Sequence, residues 1–238
     1  MRSPYGLEIV ERCATCEQQA GSFFFNLPVE ALRALDGVKF PAFYPKGALL
    51  FVEGQPARGV YLLCAGRVKL AATSADARVI ITRIVERGEI LGLCAALSGA
   101  PYEVTAETLE PCQVTYVRRE DFQRLLAAHG EAALRAAEQL ARNYRAALEQ
   151  VRTLGLTHTS AAKLARFLLE RSARPDGHHA ERLRLALTHE EIGQLIGASR
   201  ETVTRLLGEF RRKKIVEVTG ATLHVRDRPA LEALAQAT

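Results

Sequence analysis

The segment 188–214 restricts the fold of this chain more than any other part of its sequence. It opens with apolar residues at helical spacing that stop at a glycine, namely Ile192, Leu195, Ile196 and Gly197. Glycine adopts a positive φ at little cost, so Gly197 suits a tight turn between two helices. Ser199 is a suitable N-cap for the second helix, whose apolar face consists of Val203, Leu206, Leu207 and Phe210. The segment therefore predicts a helix-turn-helix.

Polar side chains gather at the N-terminal end of the second helix. They are Ser199, Arg200, Glu201, Thr204 and Arg205. The recognition helix of a helix-turn-helix presents this end to base edges in the major groove of DNA. Arginine can bond guanine through two donors, and glutamate can accept a hydrogen bond from cytosine N4. We therefore predict double-stranded DNA as the ligand; the alternative is an amphipathic helix pair with a solvated, charged face.

The net charge of +5 is unevenly distributed along the chain. Residues 158–238 hold 14 lysines and arginines against 10 aspartates and glutamates, whereas residues 1–157 hold 18 against 17. The excess lies with the helix-turn-helix, as contacts to phosphate require. A surplus of this size is modest and does not by itself establish DNA binding.

Composition also restricts the class of protein. No run of about 18 apolar residues is present, so we expect no membrane-spanning segment. The N-terminal residues lack the apolar stretch of a signal peptide, so we expect a cytoplasmic protein. All six histidines lie outside residues 40–118, and no catalytic Ser/His/Asp arrangement or phosphate-cradling loop was found. We therefore do not expect an enzyme.

Residues 40–118 have the pattern of an antiparallel β-structure. Short β-rich runs alternate with turns containing glycine or proline, and examples of these runs are 48–52, 60–63, 68–72, 79–85 and 113–117. This spacing predicts a sandwich or barrel. Two further runs, 215–218 and 222–225, are separated by Gly220 and predict a hairpin after the helix-turn-helix, the wing of a winged helix.

A heptad pattern begins at Leu134. Apolar or small residues recur at alternating steps of three and four, at Leu134, Ala137, Ala141, Tyr144, Leu148, Val151 and Gly155. This is the a/d repeat of a coiled coil. The repeat predicts a long helix that forms the seam of a homodimer; a long helix packed on its own domain is the alternative.

The order of these parts resembles the CRP/FNR family of bacterial transcription regulators. The residues that carry the resemblance are Tyr44-Pro-Lys-Gly47, Phe51-Val-Glu-Gly54, Val60-Tyr61, Gly66, Gly88-Glu-Ile-Leu-Gly92 and the helix-turn-helix. The resemblance implies an α+β fold with an N-terminal antiparallel β-roll, a long dimerisation helix and a C-terminal winged helix-turn-helix. The domains expected are a cysteine-containing arm (1–22), a β-roll sensor (23–128), the dimerisation helix (129–157) and the DNA-binding domain (158–238).

The β-roll departs from the cyclic-nucleotide-binding members of this family. In those members a Gly-Glu pair and an Arg-Ser pair hold the cyclic phosphate. Here Leu93 follows Gly92, where the glutamate would stand, and residues 101–105 offer no Arg-Ser pair. Burying a phosphate without a cation or a donor is costly. The comparison implies a roll that does not bind cAMP.

The cysteines resemble those of the FNR branch, which holds a [4Fe–4S] cluster. Cys13 and Cys16 match that branch's first Cys-x-x-Cys pair, and Cys112 matches its distant ligand in the roll. The match breaks where the remaining N-terminal cysteine would fall, because that position is Ser22. Four thiolates usually hold such a cluster, so Cys94 is predicted as the fourth ligand.

The predicted cluster would make the protein a sensor of oxygen or redox state. Cys64 is a less suitable fourth ligand than Cys94, because it lies on a probable strand. Three alternatives remain open, namely structural zinc held by the same thiolates, a reversible thiol–disulfide switch, and a small organic effector other than cAMP. Cysteines buried without any chemistry are the simplest interpretation.

The recognition helix resembles the CRP-like members more than the FNR branch. Arg200 stands where the FNR branch usually has an apolar residue, and Glu201, Thr204 and Arg205 match positions that contact bases in the family. The resemblance implies a palindromic site with half-sites nearer TGTGA than TTGAT. Their centres would lie about one helical turn apart. RNA polymerase is implied as a further partner.

Overall fold

The computed structural model of the chain describes residues 22–23, 27–172, 182–184, 187–219 and 222–236. The chain divides into two compact units between Ala147 and Leu148. The division falls inside a long helix, which therefore contributes to both units. Among the residues described, no helix is long and apolar enough to cross a membrane.

Two four-stranded antiparallel sheets form the centre of the first unit. Their strand orders are β1-β8-β3-β6 and β2-β7-β4-β5. The strands are β1 Lys39–Tyr44, β2 Leu49–Phe51, β3 Gly59–Ala65, β4 Val68–Thr73, β5 Val79–Val85, β6 Ile90–Leu91, β7 Thr105–Thr108 and β8 Cys112–Arg118. This architecture confirms the predicted antiparallel β-roll.

Strand β3 shows how the roll is packed. Successive side chains of a strand point to opposite faces. Val60 and Leu62 pack among helices on one face, whereas Leu63 lies inside the roll with Val68 and Val114. The strand is therefore apolar on both faces, which explains its unbroken hydrophobic run.

Four helices cover the outer face of β3. They are α1 Val29–Val38, α2 Leu93–Ser98, α3 Arg119–Ala128 and α4 Gly130–Leu156. Gln139 of α4 is fully buried, and its side-chain amide pairs with both backbone groups of Ile90. The N–H of Ile90 donates to Gln139 Oε1 (2.9 Å), and Gln139 Nε2 donates to the Ile90 carbonyl (2.7 Å). One side chain thus satisfies the open edge of the short strand β6.

The second unit is a winged helix-turn-helix, as predicted. It contains α5 Ser160–Ser172, β9 Arg182–Arg184, α6 His189–Ile196, α7 Arg200–Arg212, β10 Val216–Thr219, β11 Thr222–Val225 and α8 Arg228–Gln236. The predicted hairpin is β10–β11, to which β9 adds a third antiparallel strand. Leu164 and Leu168 of α5, Val203 of α7 and Leu231 of α8 share one buried core.

The turn between β3 and β4 requires glycine. Gly66 has φ +89°, and a Cβ at this position would lie 2.5 Å from Cys112 Sγ and 2.6 Å from the Pro111 carbonyl oxygen. Gly47 has a similar φ of +80°, but nothing lies within 4 Å of its would-be Cβ. The two glycines therefore share backbone strain but differ in steric crowding.

We expect Gly66→Ala to destabilise the first unit by about 1–3 kcal/mol more than Gly47→Ala, the usual cost of overpacking. Urea unfolding of both variants, followed by circular dichroism, measures the difference. If the two variants lose the same free energy of unfolding, the structure accommodates the new Cβ beside Cys112 without an energetic cost.

Candidate nucleic-acid interface

The helix-turn-helix begins with a complete capping box at α6. Thr188 Oγ1 accepts a hydrogen bond from the backbone N–H of Glu191 (3.1 Å). In return the Glu191 carboxylate accepts one from the backbone N–H of Thr188 (2.7 Å). Two N–H groups that would otherwise lack partners are satisfied, which fixes the point at which α6 begins.

Two glycines shape the turn between α6 and α7. Gly197 has φ +66°, in the left-handed region, and its N–H donates to the Gly193 carbonyl. Gly193 is a residue that the sequence analysis missed. A Cβ there would lie 2.5 Å from the carbonyl oxygen of Ala198, so the close approach of the turn to α6 depends on it.

The polar cluster of α7 is exposed on one side of the helix. Arg200, Glu201, Thr204 and Arg205 are all exposed, while Val203, Leu206, Leu207 and Phe210 are buried. Ser199 has a capping role, because its Oγ accepts the Thr202 N–H (3.2 Å). The backbone N–H of Glu201 and the Ser199 hydroxyl lower the pKa of the Glu201 carboxyl. Glu201 is therefore ionised at neutral pH and can accept hydrogen bonds from bases.

Two of the predicted base-reading side chains already have partners within the chain. Arg205 Nη1 donates to Glu209 Oε1 (2.7 Å), one helical turn away. Thr204 Oγ1 donates to the Arg200 carbonyl (2.9 Å) and also lies 2.8 Å from Nδ1 of His189. The sequence analysis gave His189 no role, because this contact joins two helices and leaves no trace in local periodicity.

Two of the four predicted cluster ligands, Cys13 and Cys16, lie outside the described residues. Cys112 is fully buried, and its thiol donates to the carbonyls of Glu110 (3.2 Å) and Arg67 (3.4 Å). Burial raises the pKa of the Cys112 thiol to about 11. In the metal-free chain this thiol is therefore protonated.

Cys94 lies on the exposed surface of α2. A hydrogen bond with Glu103, together with partial burial, raises the pKa of its thiol. Its helix begins after Gly92, whose would-be Cβ lies 3.5 Å from the Gly59 carbonyl oxygen at one end of β3. Cys112 lies instead against Gly66, just beyond the other end.

The structure therefore separates Cys94 from Cys112. Strand β3 has seven residues, so its ends are about 20 Å apart at about 3.3 Å per residue. Within the described ranges, no three His, Cys, Asp or Glu side chains are grouped so that they could hold a metal ion. This separation gives no support to Cys94 as the fourth ligand beside Cys112. Because Cys13 and Cys16 lie outside the described residues, the set Cys13, Cys16, Cys94 and Cys112 stays a prediction. Cys64, the other alternative, is also buried.

Aromatic side chains pack inside the roll beside Gly92, and Leu93 is buried beneath the helices. Leu93 is 2% exposed. The rings of Phe51 and Tyr102 stack with centroids 4.0 Å apart, and the Tyr102 hydroxyl donates to the Gly59 carbonyl (2.8 Å). Tyr102 is thus part of the packed interior of the roll, whereas Leu93 belongs to the core beneath the helices and Pro101 and Glu103 are exposed.

Two family models match the chain. The cyclic nucleotide-binding domain matches residues 41–129, and the Crp-like helix-turn-helix domain matches residues 162–234. The CRP-like cAMP-activated global transcriptional regulator of Mycobacterium tuberculosis is 27% identical over 206 residues, covering 86% of this chain and 92% of the relative.

Solved structures show the same architecture. FixK2 from Bradyrhizobium japonicum is 26% identical, with a TM-score of 0.73 over 84% of this chain and 99% of its own. TTHB099, a transcriptional regulator of the CRP family from Thermus thermophilus, is also 26% identical, with a TM-score of 0.67 over 83% of this chain and 97% of its own.

Fold, helix-turn-helix and comparisons together define a DNA-binding transcription regulator with a cyclic-nucleotide-binding type of β-roll. More particularly, the matched domains are a cyclic nucleotide-binding domain and a Crp-like helix-turn-helix domain, and the relatives that match over most of the chain are CRP-family regulators.

We expect Arg205→Ala to weaken binding to a specific duplex by about 1–3 kcal/mol and to relax one base position in each half-site. Glu209→Gln is the matched control, because it removes the partner of Arg205 and keeps the guanidinium. Fluorescence anisotropy on the preferred duplex and its single-base variants measures both effects. A uniform loss on all sequences would assign Arg205 to phosphate contacts instead.

Proposed function

We propose that the protein binds a palindromic DNA site as a homodimer and regulates transcription from it. The observation that carries the proposal is the apolar stripe of α4, defined as the heptad positions from Leu134 to Gly155. A two-fold dimer presents two identical recognition helices, which calls for a palindrome whose half-site centres are about one helical turn apart.

Every residue of the apolar stripe is exposed. The largest side chains retain substantial exposure, with Leu134 at 59%, Tyr144 at 65%, Leu148 at 41% and Val151 at 65%. A contiguous exposed row of large apolar groups marks an interaction surface. Its heptad spacing matches the knobs-into-holes packing of a second, identical helix.

The opposite side of α4 is already occupied by the chain itself. Ala132, Gln139 and Thr153 are all buried, and they are spaced by multiples of seven residues. They therefore lie on one face, on the other side of the helix from the apolar stripe. The alternative was that the heptad face packs on its own domain. This alternative is not supported, because the face that contains Ala132, Gln139 and Thr153 is the buried one.

We expect Tyr144→Glu or Val151→Glu to raise the dimer dissociation constant by at least about 100-fold, because an unpaired charge would be buried in the seam. Operator affinity should fall with it. Arg142→Glu is the control, since it changes charge on the same helix outside the stripe. Sedimentation equilibrium measures the association; an unchanged dimer in both stripe variants would place the seam elsewhere.

The sequence of the β-roll supports an effector other than cAMP. Leu93 stands where the family's glutamate would, and residues 101–105 offer no Arg-Ser pair for a cyclic phosphate. Burying that anion without a partner is costly. The relative from Mycobacterium tuberculosis is cAMP-activated, and by analogy with it this chain would be expected to bind cAMP. Contact with RNA polymerase is a further part of the proposed function, as the family resemblance implies.

Redox chemistry at Cys13 and Cys16 is the second candidate for sensing. Its support is the placement of a Cys-x-x-Cys pair in a polar stretch, where buried structural cysteines are not expected. A disulfide switch or a metal held by this pair and ligands other than Cys94 remains compatible with the described residues.

We expect the double variant Cys13→Ala/Cys16→Ala to lose any response of operator affinity to air, while Cys94→Ala keeps it. Operator binding is compared for protein purified and assayed with and without oxygen, and with and without cAMP, alongside iron, sulfide and zinc analysis. Metal-free wild-type protein that binds identically in all conditions would remove the redox sensor and leave DNA binding intact.

A further inference from the structure

Gly208 lies in the interior of the recognition helix, where glycine is unfavourable. It is exposed and stands four residues before the end of α7. Glycine in a helix interior is less stable than alanine, because it loses more conformational freedom on folding. Among the described residues outside its own helical turns, nothing lies within 4 Å of a Cβ built at Gly208. Unlike Gly193, this glycine therefore has no steric reason within the described chain.

The end of α7 shows the opposite choice of residue. Lys214 follows the helix with φ +58°, in the left-handed region that favours glycine. Its N–H donates to the Arg211 carbonyl (2.9 Å) and closes the last turn. The helix thus carries glycine where alanine is more stable and lysine where glycine is more stable. The four residues 211–214 are all basic and exposed, so this end of α7 is suited to an anionic partner.

Gly208 lines a cleft between α7 and the wing, which we call the wing cleft. It has a volume of about 640 Å³, and its walls include Leu207, Val218 and Leu223. Leu207 and Leu223 are buried, whereas Val218 on the wing is 37% exposed. Among the described residues that line the wing cleft, Arg211 supplies a positive charge and none is acidic. The wing cleft therefore suits a partner that combines an apolar surface with negative charge.

Three lining residues follow one another on the same face of α7. Thr204, Gly208 and Arg211 are spaced by four and three residues, and this spacing places them one above the other. At 1.5 Å per residue, Gly208 lies about 6 Å and Arg211 about 10 Å beyond Thr204 along the helix. The major groove of DNA is about 8.5 Å deep. With Thr204 at the base edges, Gly208 comes level with the deoxyribose at the rim of the groove, and Arg211 with the phosphate.

We propose that the wing cleft seats the sugar-phosphate backbone of one operator strand, with deoxyribose against Gly208 and Val218 and a phosphate on Arg211. The inference rests on the proposed function, and it assigns a contact that positions the protein without reading sequence. Thr204 belongs both to the base-reading cluster and to the wing cleft, and this continuity identifies DNA as the occupant. The missing Cβ of Gly208 lets the strand approach the helix closely.

One substitution separates stability from DNA binding. Gly208→Ala should raise the unfolding midpoint of the free protein by about 2–6 °C, because alanine is the better helix former and its methyl group meets no neighbour. The same methyl group should weaken DNA binding by about tenfold or more, because it holds the strand away from α7. Calorimetry of the full-length protein measures the first effect. Fluorescence anisotropy with a palindromic duplex that the wild type selects from a random library measures the second.

Gly37→Ala is the matched control. Gly37 lies in α1 of the first unit, is exposed, and also has nothing within 4 Å of its would-be Cβ. The same change of residue should leave DNA affinity at the wild-type value there. A loss confined to Gly208→Ala then arises from the position and not from the kind of substitution.

A backbone contact also predicts how the loss depends on sequence and salt. Gly208→Ala should weaken binding to the selected duplex and to an unrelated duplex by the same factor, since every sequence presents the same sugars. Arg211→Gln should flatten the dependence of log K on log salt by about two for a dimer, because each phosphate contact contributes about 0.9.

The results that overturn the inference differ from failure of the proposed function. Wild-type affinity in Gly208→Ala would show that no strand lies against this glycine, and a lower unfolding midpoint would show that the glycine serves the fold. A loss restricted to the selected duplex would assign the wing cleft to base reading, and an unchanged salt slope in Arg211→Gln would remove the phosphate. Wild-type protein that selects no duplex would contradict the proposed function itself.

Discussion

The packing of α4 through Gln139 is the constraint on which much of the structure depends. The amide is fully buried, and both of its ends bond to Ile90. Leaving a buried polar group without its partner costs about 1–3 kcal/mol, so rotation of α4 about its axis is resisted. With this face fixed against β6, the apolar stripe is held away from the core of the first unit. The burial of Gln139 on one side of α4 thus leaves the apolar stripe, on the other side, available for the proposed dimerisation.

The cysteines show what a match in sequence spacing can and cannot predict about a site. Cys112 stands where the family comparison placed a ligand, yet its thiol is buried against Gly66 and bonded to two carbonyls. Cys94 follows a motif glycine, yet β3 separates it from Cys112. Both residues were predicted as ligands from their positions in the sequence. Sequence position does not indicate which end of a strand a residue lies near. The positions of Cys94 and Cys112 therefore give the predicted cluster no geometric support, while Cys13 and Cys16 lie outside the described residues.

Local signals predicted the helix-turn-helix well because its caps, turn and apolar period are all encoded within a few residues. Strand β1 was missed because Lys39–Tyr44 contains Pro41 and lacks clean alternation; as an edge strand beside β8 it tolerates the proline. Gly193 and His189 were missed for a different reason. Their importance arises from neighbours on another element, Ala198 and Thr204, which no periodicity identifies. The apolar stripe was predictable because a heptad repeat is a spacing pattern within one helix, which can be recognised from the sequence alone.

The ion pair between Arg205 and Glu209 gives the recognition helix a resting state. If Arg205 reads a base, as predicted, that base must compete with the Glu209 carboxylate for the guanidinium. Arg205 would then exchange one satisfied partner for another on binding, so the net gain at this position would be smaller than for an arginine that starts without a partner.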